Sequence, residues 1–150
     1  MATKVPFDNP AHYENPGLYT RGLRLSNFSE LLFVSGYSAS SGPNDGSGPP
    51  QVEYPNDATK QAGWIVRSLD IYLGSIPYAD NSGYYSKNDI IYFDVVLADS
   101  VPPDDQQNVL DILQAWFETV TPPPAAGILK RIASLVTPGM VVEIEFLLAH

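Results

Sequence analysis

Two acidic residues near the end of the chain, Glu143 and Glu145, have a spacing that suits chemistry on a strand. They alternate with the apolar residues Val142, Ile144 and Phe146, and residues two positions apart in a strand point to the same face of a sheet. Both carboxylates are therefore predicted to share one face, with a packed core beneath the other. Two such groups can act as an acid and base pair; alternatively, one faces solvent or pairs with a basic residue across a hairpin.

Other chemistries have little support in the sequence. The two histidines, His12 and His150, lie near its ends, and cysteine is absent, so we expect no metal site and no cysteine nucleophile. Ser35 has no evident histidine partner. The glycine-rich segment 41–48 lacks the lysine and the following helix of a phosphate-binding loop. No cofactor is predicted.

The charge balance limits the choice of partners. The chain has 17 acidic and 8 basic residues and a net charge of −9, whereas a nucleic-acid binder needs a cationic surface to contact phosphates. No apolar run approaches the ~20 residues that span a bilayer, and residues 1–10 lack the features of a secretory signal. We therefore predict a cytoplasmic protein with neither nucleic acid nor membrane as a partner.

Hydrophobic periodicity predicts a single domain over residues 1–150, of the α+β class, with two helices on one face of a mixed sheet. Residues 1–20 are predicted to be irregular, and residues 38–56, rich in Gly, Ser and Pro, to form a flexible solvent loop. The first two strands are predicted to form a hairpin. In the order β-β-α-β-α-β-β, the predicted elements are 23–28, 31–37, 57–73, 89–98, 102–121, 128–136 and 140–148. Either Asp57 or Thr59 can cap the first helix.

Four segments, in this order, resemble the Rid (YjgF-like) family of imine and enamine deaminases. They are Phe33-Val34-Ser35-Gly36, the strand 89–99, the segment from Trp116-Phe117 to Pro124-Ala125, and Val142-Glu143-Ile144-Glu145. The resemblance implies a chorismate-mutase-like fold and a homotrimer with a central barrel and three ligand clefts between subunits. It also implies hydrolysis of 2-aminoacrylate-type imines to 2-keto acids and ammonia.

The resemblance assigns residue roles only in part. Glu145 matches the family's glutamate that orients the attacking water. Tyr19 matches the tyrosine that closes the cleft, and Ser35 and Gly36 match the strand end that lines the cleft. The position of the arginine that clamps the substrate carboxylate is occupied here by Ala126. The usual anchor for an acidic substrate is therefore missing.

Other residues near these positions are candidates for reshaping the site. Tyr37 stands where glutamine is common in the family. Two-residue periodicity places Lys130 on the face of Ala126, so Lys130 is one candidate replacement cation. Arg21 and Arg131 are others, and the alternative is that all three are solvated surface cations. Backbone N–H groups near Gly36 or Ala126 are candidates for holding a carbonyl.

Two functions follow as hypotheses. The first is a Rid-like enzyme that acts in an intersubunit cleft on a reactive imine, enamine or unsaturated carbonyl compound, by deamination or a related hydration, tautomerisation or lyase step. The second is a non-catalytic ligand-binding or structural trimer of the same fold. The directions of Lys130, Arg131 and Arg21 discriminate between them, because a cation in the cleft favours chemistry on an acid. A third, an endoribonuclease, is disfavoured by the acidic charge.

Overall fold

The computed structural model of the protein describes residues 2–7, 19–42 and 47–150. Within these ranges two α-helices and eight strands form, together with a short 3-10 turn before the sixth strand. The elements are β1 (Thr3–Phe7), β2 (Gly22–Ser26), β3 (Leu31–Ser38), β4 (Ser40–Ser41), β5 (Gln51–Val52), α1 (Ala58–Leu73), the 3-10 turn (Lys87–Asp89), β6 (Ile90–Ala98), α2 (Pro103–Phe117), β7 (Ala125–Ile132) and β8 (Val142–Ala149).

The main sheet has four strands in the order β3-β8-β6-β7. Strand β8 is antiparallel to both of its neighbours, whereas β6 and β7 are parallel. Since β3 and β6 both run against β8, they run in the same direction. Parallel strands need a crossover connection, and α1 supplies one between β3 and β6, as α2 does between β6 and β7. The predicted α+β class and mixed sheet are confirmed.

The two helices lie side by side and run in the same direction. Near their starts, the Thr59 hydroxyl contacts Asp105 Oδ1 at 3.3 Å. Near their ends, Trp116 Nε1 donates to both carboxylate oxygens of Asp70 at 3.1 Å. Helix α1 begins after Asp57, whose side chain accepts the backbone N–H of Lys60 at 2.9 Å. Of the two predicted candidates, Asp57 and Thr59, Asp57 is therefore the N-cap.

The core lies between the helices and one face of the main sheet. As predicted, Val142, Ile144 and Phe146 point into it, and each is almost entirely buried. Large apolar side chains from both helices cover them, each contributing about 1.5–3 kcal/mol when buried. These are Ile65, Leu69 and Leu73 from α1 and Val109, Leu113, Trp116 and Phe117 from α2. The opposite side of the sheet, which carries Glu143 and Glu145, is called the open face below.

A buried glutamine fixes the start of β8. Gln61, with no exposed surface, donates from Nε2 to the carbonyls of Tyr54 at 3.1 Å and Gly139 at 2.7 Å. Its Oε1 accepts the N–H groups of Val141 at 2.9 Å and Val142 at 3.2 Å. This side chain therefore ties α1 to the backbone from which Glu143 and Glu145 project.

The predicted hairpin of the first two strands is wrong. Strand β2 pairs with β1, whose residues were predicted to be irregular, and β3 pairs with β8. Strand β3 is drawn to β8 by long-range contacts. The carbonyl of His150 accepts the N–H groups of Ser29 at 2.6 Å and Glu30 at 3.2 Å, and these bonds place the start of β3 against the end of β8. The remainder of the predicted irregular segment, 8–18, lies outside the described residues.

Two further boundaries differ from prediction. Both ends of the predicted solvent loop 38–56 are paired, because β4 and β5 form an antiparallel ladder and Glu53 N–H donates to Ala39 O at 2.8 Å; residues 43–46 lie outside the described residues. Strand β7 begins and ends earlier than the predicted 128–136 strand. Its start is set by the parallel ladder with β6.

Candidate functional site

On the open face, one row of residues crosses all four strands of the main sheet and is called the polar row below. It consists of Ser35 and Gly36 of β3, Glu145 of β8, Asp94 of β6, and Gly127 and Ile128 of β7. At its centre, Glu145 of β8 lies directly opposite Asp94 of β6. On the far side of Glu145, β3 forms a bulge. Val34 pairs with Phe146 and Tyr37 with Ile144, so two residues of β3 oppose Glu145 alone. Bulges re-aim side chains and interrupt pairing, and this one consists of two predicted site residues, Ser35 and Gly36.

A second bulge flanks Asp94 at the other end of the row. Phe93 pairs with Ala126 and Val95 with Leu129, so Gly127 and Ile128 of β7 oppose Asp94. A Cβ atom on Gly127 would overlap the Asp94 carboxylate and the Tyr92 hydroxyl. A glycine at this point is therefore what allows the carboxylate to approach the backbone of β7.

Asp94 is the centre of a hydrogen-bond network. Its Oδ1 accepts the Ile128 N–H at 2.8 Å and the Tyr92 hydroxyl at 3.1 Å, and its Oδ2 faces the Lys130 ammonium at 3.5 Å. Burial first, and then the hydrogen bond to Asp94 and the charges of Asp94 and Glu145, raise the pKa of Tyr92. The phenol therefore keeps its proton at neutral pH and acts as a donor.

A cavity of about 380 Å³ opens beside this network on the open face. Among the described residues that line it, Ser35, Tyr92 and Glu145 supply the polar groups, and the others are apolar. Within the described part of the chain, no hydrogen bond or ion pair engages the Glu145 carboxylate. A small apolar cavity with a few polar groups is the usual form of a ligand site. The apolar lining residues are Phe33, Val34, Phe146 and Leu147.

The structure separates the predicted site residues into two groups. Ser35 and Glu145 line the cavity, and Gly36 lies beside it in the bulge. Tyr19 and Ala126 instead pack against the core, near the start of β7, where Thr20 N–H donates to Pro124 O at 3.0 Å. Neither of them is among the residues that line the cavity.

The other two predicted ligand-shaping residues also lie away from the cavity. The Arg21 guanidinium lies over the Tyr19 ring, 5.9 Å from its centroid. Tyr37, beyond the β3 bulge, lies on the helix side, where its ring centroid is 5.9 Å from that of Tyr72 in α1. The bulge thus turns Tyr37 away from the face that Ser35 and Glu145 share.

The prediction that Lys130 shares a face with Ala126 is wrong. The extra residue in the β7 bulge shifts the alternation, so that Ala126 and Leu129 both pack against the core while Lys130 reaches Asp94 on the open face. Arg131 points elsewhere, because Nη2 donates to the carbonyls of Asp99 at 2.9 Å and Val101 at 2.8 Å. No basic side chain of the described residues lines the cavity.

The alternative in which Glu143 pairs with a basic residue across a hairpin is not seen among the described residues. Strand β8 is not adjacent to β7, which carries Lys130 and Arg131. The Glu143 carboxylate lies instead over Gly36, where a Cβ atom would overlap it.

Sequence reasoning missed two residues of the site, Tyr92 and Asp94. The strand predicted over 89–98 is apolar at most of its positions, and neither of these two residues is among the predicted site residues. Their spacing of two, the same as that of Glu143 and Glu145, was the available signal that β6 also has a polar face.

Neither a metal site nor a membrane-spanning helix is found in the described part of the chain. No group of three or more His, Asp and Glu side chains there could hold a metal ion. Neither α1 nor α2, nor the short turn before β6, is long and apolar enough to cross a membrane.

Comparison with known proteins identifies the fold. No protein-family profile matches the chain, and no curated protein does. The chain is similar to the solved structure of YyfB, a Rid family protein of unknown function from Yersinia pestis, with a TM-score of 0.75, 15% identity and 98% of each chain covered. It is also similar to YyfA from the same organism, with a TM-score of 0.57, 20% identity and coverage of 99% of this chain and 100% of that one.

A YjgF family member from Neisseria meningitidis is a further match, with a TM-score of 0.56, 17% identity and coverage of 98% of this chain and 94% of that one. Identities this low show the fold alone. The protein has the Rid (YjgF-like) fold, and the resemblance drawn from its sequence is confirmed at that level.

Proposed function

We propose that the protein is a divergent Rid-type hydrolase that acts on a reactive imine or enamine in the open-face cavity. The observation that carries the proposal is the position of Glu145. Its carboxylate lies in a largely apolar cavity, opposite the Ser35–Gly36 bulge, with no protein partner among the described residues. A carboxylate in this position is suited to hold and deprotonate a water molecule.

The proposed reaction converts an iminium ion and water into a carbonyl compound and ammonium. Glu145 takes a proton from water as the water oxygen bonds to the imine carbon, and passes that proton to the nitrogen. The same carboxylate takes the hydroxyl proton of the resulting carbinolamine as the C–N bond breaks, with the bonding electrons going to nitrogen. It then passes this proton to the released ammonia, which leaves as ammonium. A related hydration or tautomerisation of an unsaturated carbonyl compound would use the same group.

The activity is tested by ammonia release above the spontaneous rate from imines generated in situ. The panel contains 2-iminobutanoate, 2-aminoacrylate and aliphatic imines that lack a carboxylate. Release that saturates with imine concentration supports the proposal. Failure of the folded protein to accelerate any of them would instead favour the second hypothesis, a ligand-binding or structural trimer without catalysis.

The oligomer is part of the same proposal: a homotrimer in which the open faces enclose the ligand clefts. Two large apolar side chains on this face, Phe33 and Ile128, are 73% and 69% exposed. Apolar patches of this kind commonly mark interaction sites, and a neighbouring subunit would cover both.

Replacing Ile128 by lysine is expected to convert the trimer to monomers, because an ammonium group would be buried in an apolar contact at a cost of several kcal/mol. Sedimentation equilibrium measures the mass, which should be three times the 16.4 kDa chain for the wild type. Ile71→Lys is the matched control, since Ile71 is 78% exposed but lies on α1, on the other side of the sheet. A trimeric Ile128→Lys variant would contradict this assembly.

A further inference from the structure

The charges around the open-face cavity do not suit an acidic ligand. Within the described residues, Lys130 is the basic side chain that reaches the polar row, and its ammonium faces Asp94 Oδ2 at 3.5 Å. The other two donors at this edge, the Ile128 N–H and the Tyr92 hydroxyl, both donate to Asp94 Oδ1. Asp94 therefore occupies the donors that would otherwise hold a ligand carboxylate.

The cavity itself offers a negative charge and aromatic surface. Glu145 contributes the carboxylate, and Phe33 and Tyr92 contribute rings to the lining. None of the described residues that line the cavity is basic, so an anion placed there would lie beside Glu145 without a compensating cation from them, and like charges in contact are strongly disfavoured. An organic cation would gain both the carboxylate and the ring faces.

We propose that the open-face cavity selects a small organic cation, an amine or iminium compound without a carboxylate, and that Asp94 excludes 2-imino acids by occupying the donors of the Gly127–Ile128 bulge. The inference rests on the location of the site proposed above. In this proposal Asp94 determines which ligand binds. It does so by holding the Ile128 N–H, the Tyr92 hydroxyl and the Lys130 ammonium, and not by acting on the reacting atoms.

The test uses two probes of the same shape and opposite charge, the propionamidinium cation and the propionate anion. The amidinium is planar, like an iminium group, and is stable in water. Both are titrated into the ¹⁵N-labelled full chain, and dissociation constants are taken from the amide shifts of residues around the cavity, such as Ser35 and Glu145. We expect the amidinium to bind about tenfold more tightly than propionate, or more.

Asp94→Asn is expected to reduce this preference about tenfold, because it removes one charge and releases Lys130 and the Ile128 N–H. Asp99→Asn removes the same charge from the residue that follows β6, where Asp99 pairs with Arg131 at 3.7 Å, and should leave the ratio unchanged. Wild-type binding of propionate as tight as that of the amidinium, or no amidinium shift at any soluble concentration, would overturn the inference. So would a well-folded Asp94→Asn protein with an unaltered ratio.

The outcomes separate this inference from the proposed hydrolysis. Selective binding of the amidinium without faster hydrolysis of any imine would support the proposed ligand class and contradict the proposed hydrolysis. Faster hydrolysis of 2-iminobutanoate than of carboxylate-free imines would support the reaction and overturn the ligand class.

Discussion

Replacing Glu145 by glutamine is expected to slow imine hydrolysis by about 10²–10⁴-fold, the usual contribution of a general base. The amide has nearly the same shape as the carboxylate but cannot take a proton from water. Because Glu145 is exposed to the cavity and has no protein partner among the described residues, the substitution should leave the fold intact. Steady-state ammonia release, with the amide spectrum as a check on folding, measures the effect.

Glu143→Gln is the matched control for that experiment. Glu143 lies on the same strand and the same face, two residues away, but its carboxylate lies over Gly36 and does not line the cavity. Its substitution is expected to leave kcat within a few-fold of the wild type. Equal losses in both variants would indicate a general effect of charge on the open face, and an active Glu145→Gln enzyme would remove Glu145 from the proposed mechanism.

Replacing Gln61 by leucine is expected to lower the free energy of unfolding by about 3 kcal/mol or more, since each buried polar group left without a partner costs about 1–3 kcal/mol. The leucine fills a similar volume but leaves the N–H groups of Val141 and Val142 without the acceptor they have in the wild type. For a domain with a typical stability of about 5–15 kcal/mol, this is a large fraction. Urea denaturation at one fixed protein concentration measures it.

Gln107→Leu provides the comparison for Gln61→Leu. Gln107 is exposed on α2, where its amide donates to Asp111 Oδ1 at 2.8 Å, and surface substitutions usually change stability by no more than about 0.5 kcal/mol. A similar small change for Gln61→Leu would show that the amide is not needed to hold β8 in place.

The elements that could be predicted are those whose pattern is local. The apolar faces of both helices are encoded by short-range spacing, and the structure confirms them; the start of α1 was predicted to within two residues, at Asp57 or Thr59. The same holds for β8, in which strict alternation predicted that Glu143 and Glu145 would lie opposite the core. Each of these depends on residues within a few positions of one another.

The pairing of strands and the shape of the site could not be predicted in this way. Strand β3 pairs with β8, which lies more than a hundred residues later in the sequence, and the carbonyl of His150 extends this pairing to Ser29 and Glu30. The bulge at Gly127 adds one residue to β7, which reverses the faces expected for Lys130 relative to Ala126. A bulge arises from the register of two strands, and alternation within one strand does not reveal it.

The central place of β8 has a consequence for biosynthesis. Strands β3 and β6 are both made before β8, and each forms its ladder with β8 along most of its length. Until β8 emerges from the ribosome, the edges of β3 and β6 that will face β8 have no partner strand. Unpaired edges of this kind readily pair with other chains. The four-stranded sheet therefore cannot form until β8 has been synthesised, and the facing edges of β3 and β6 are protected from other chains only once β8 lies between them.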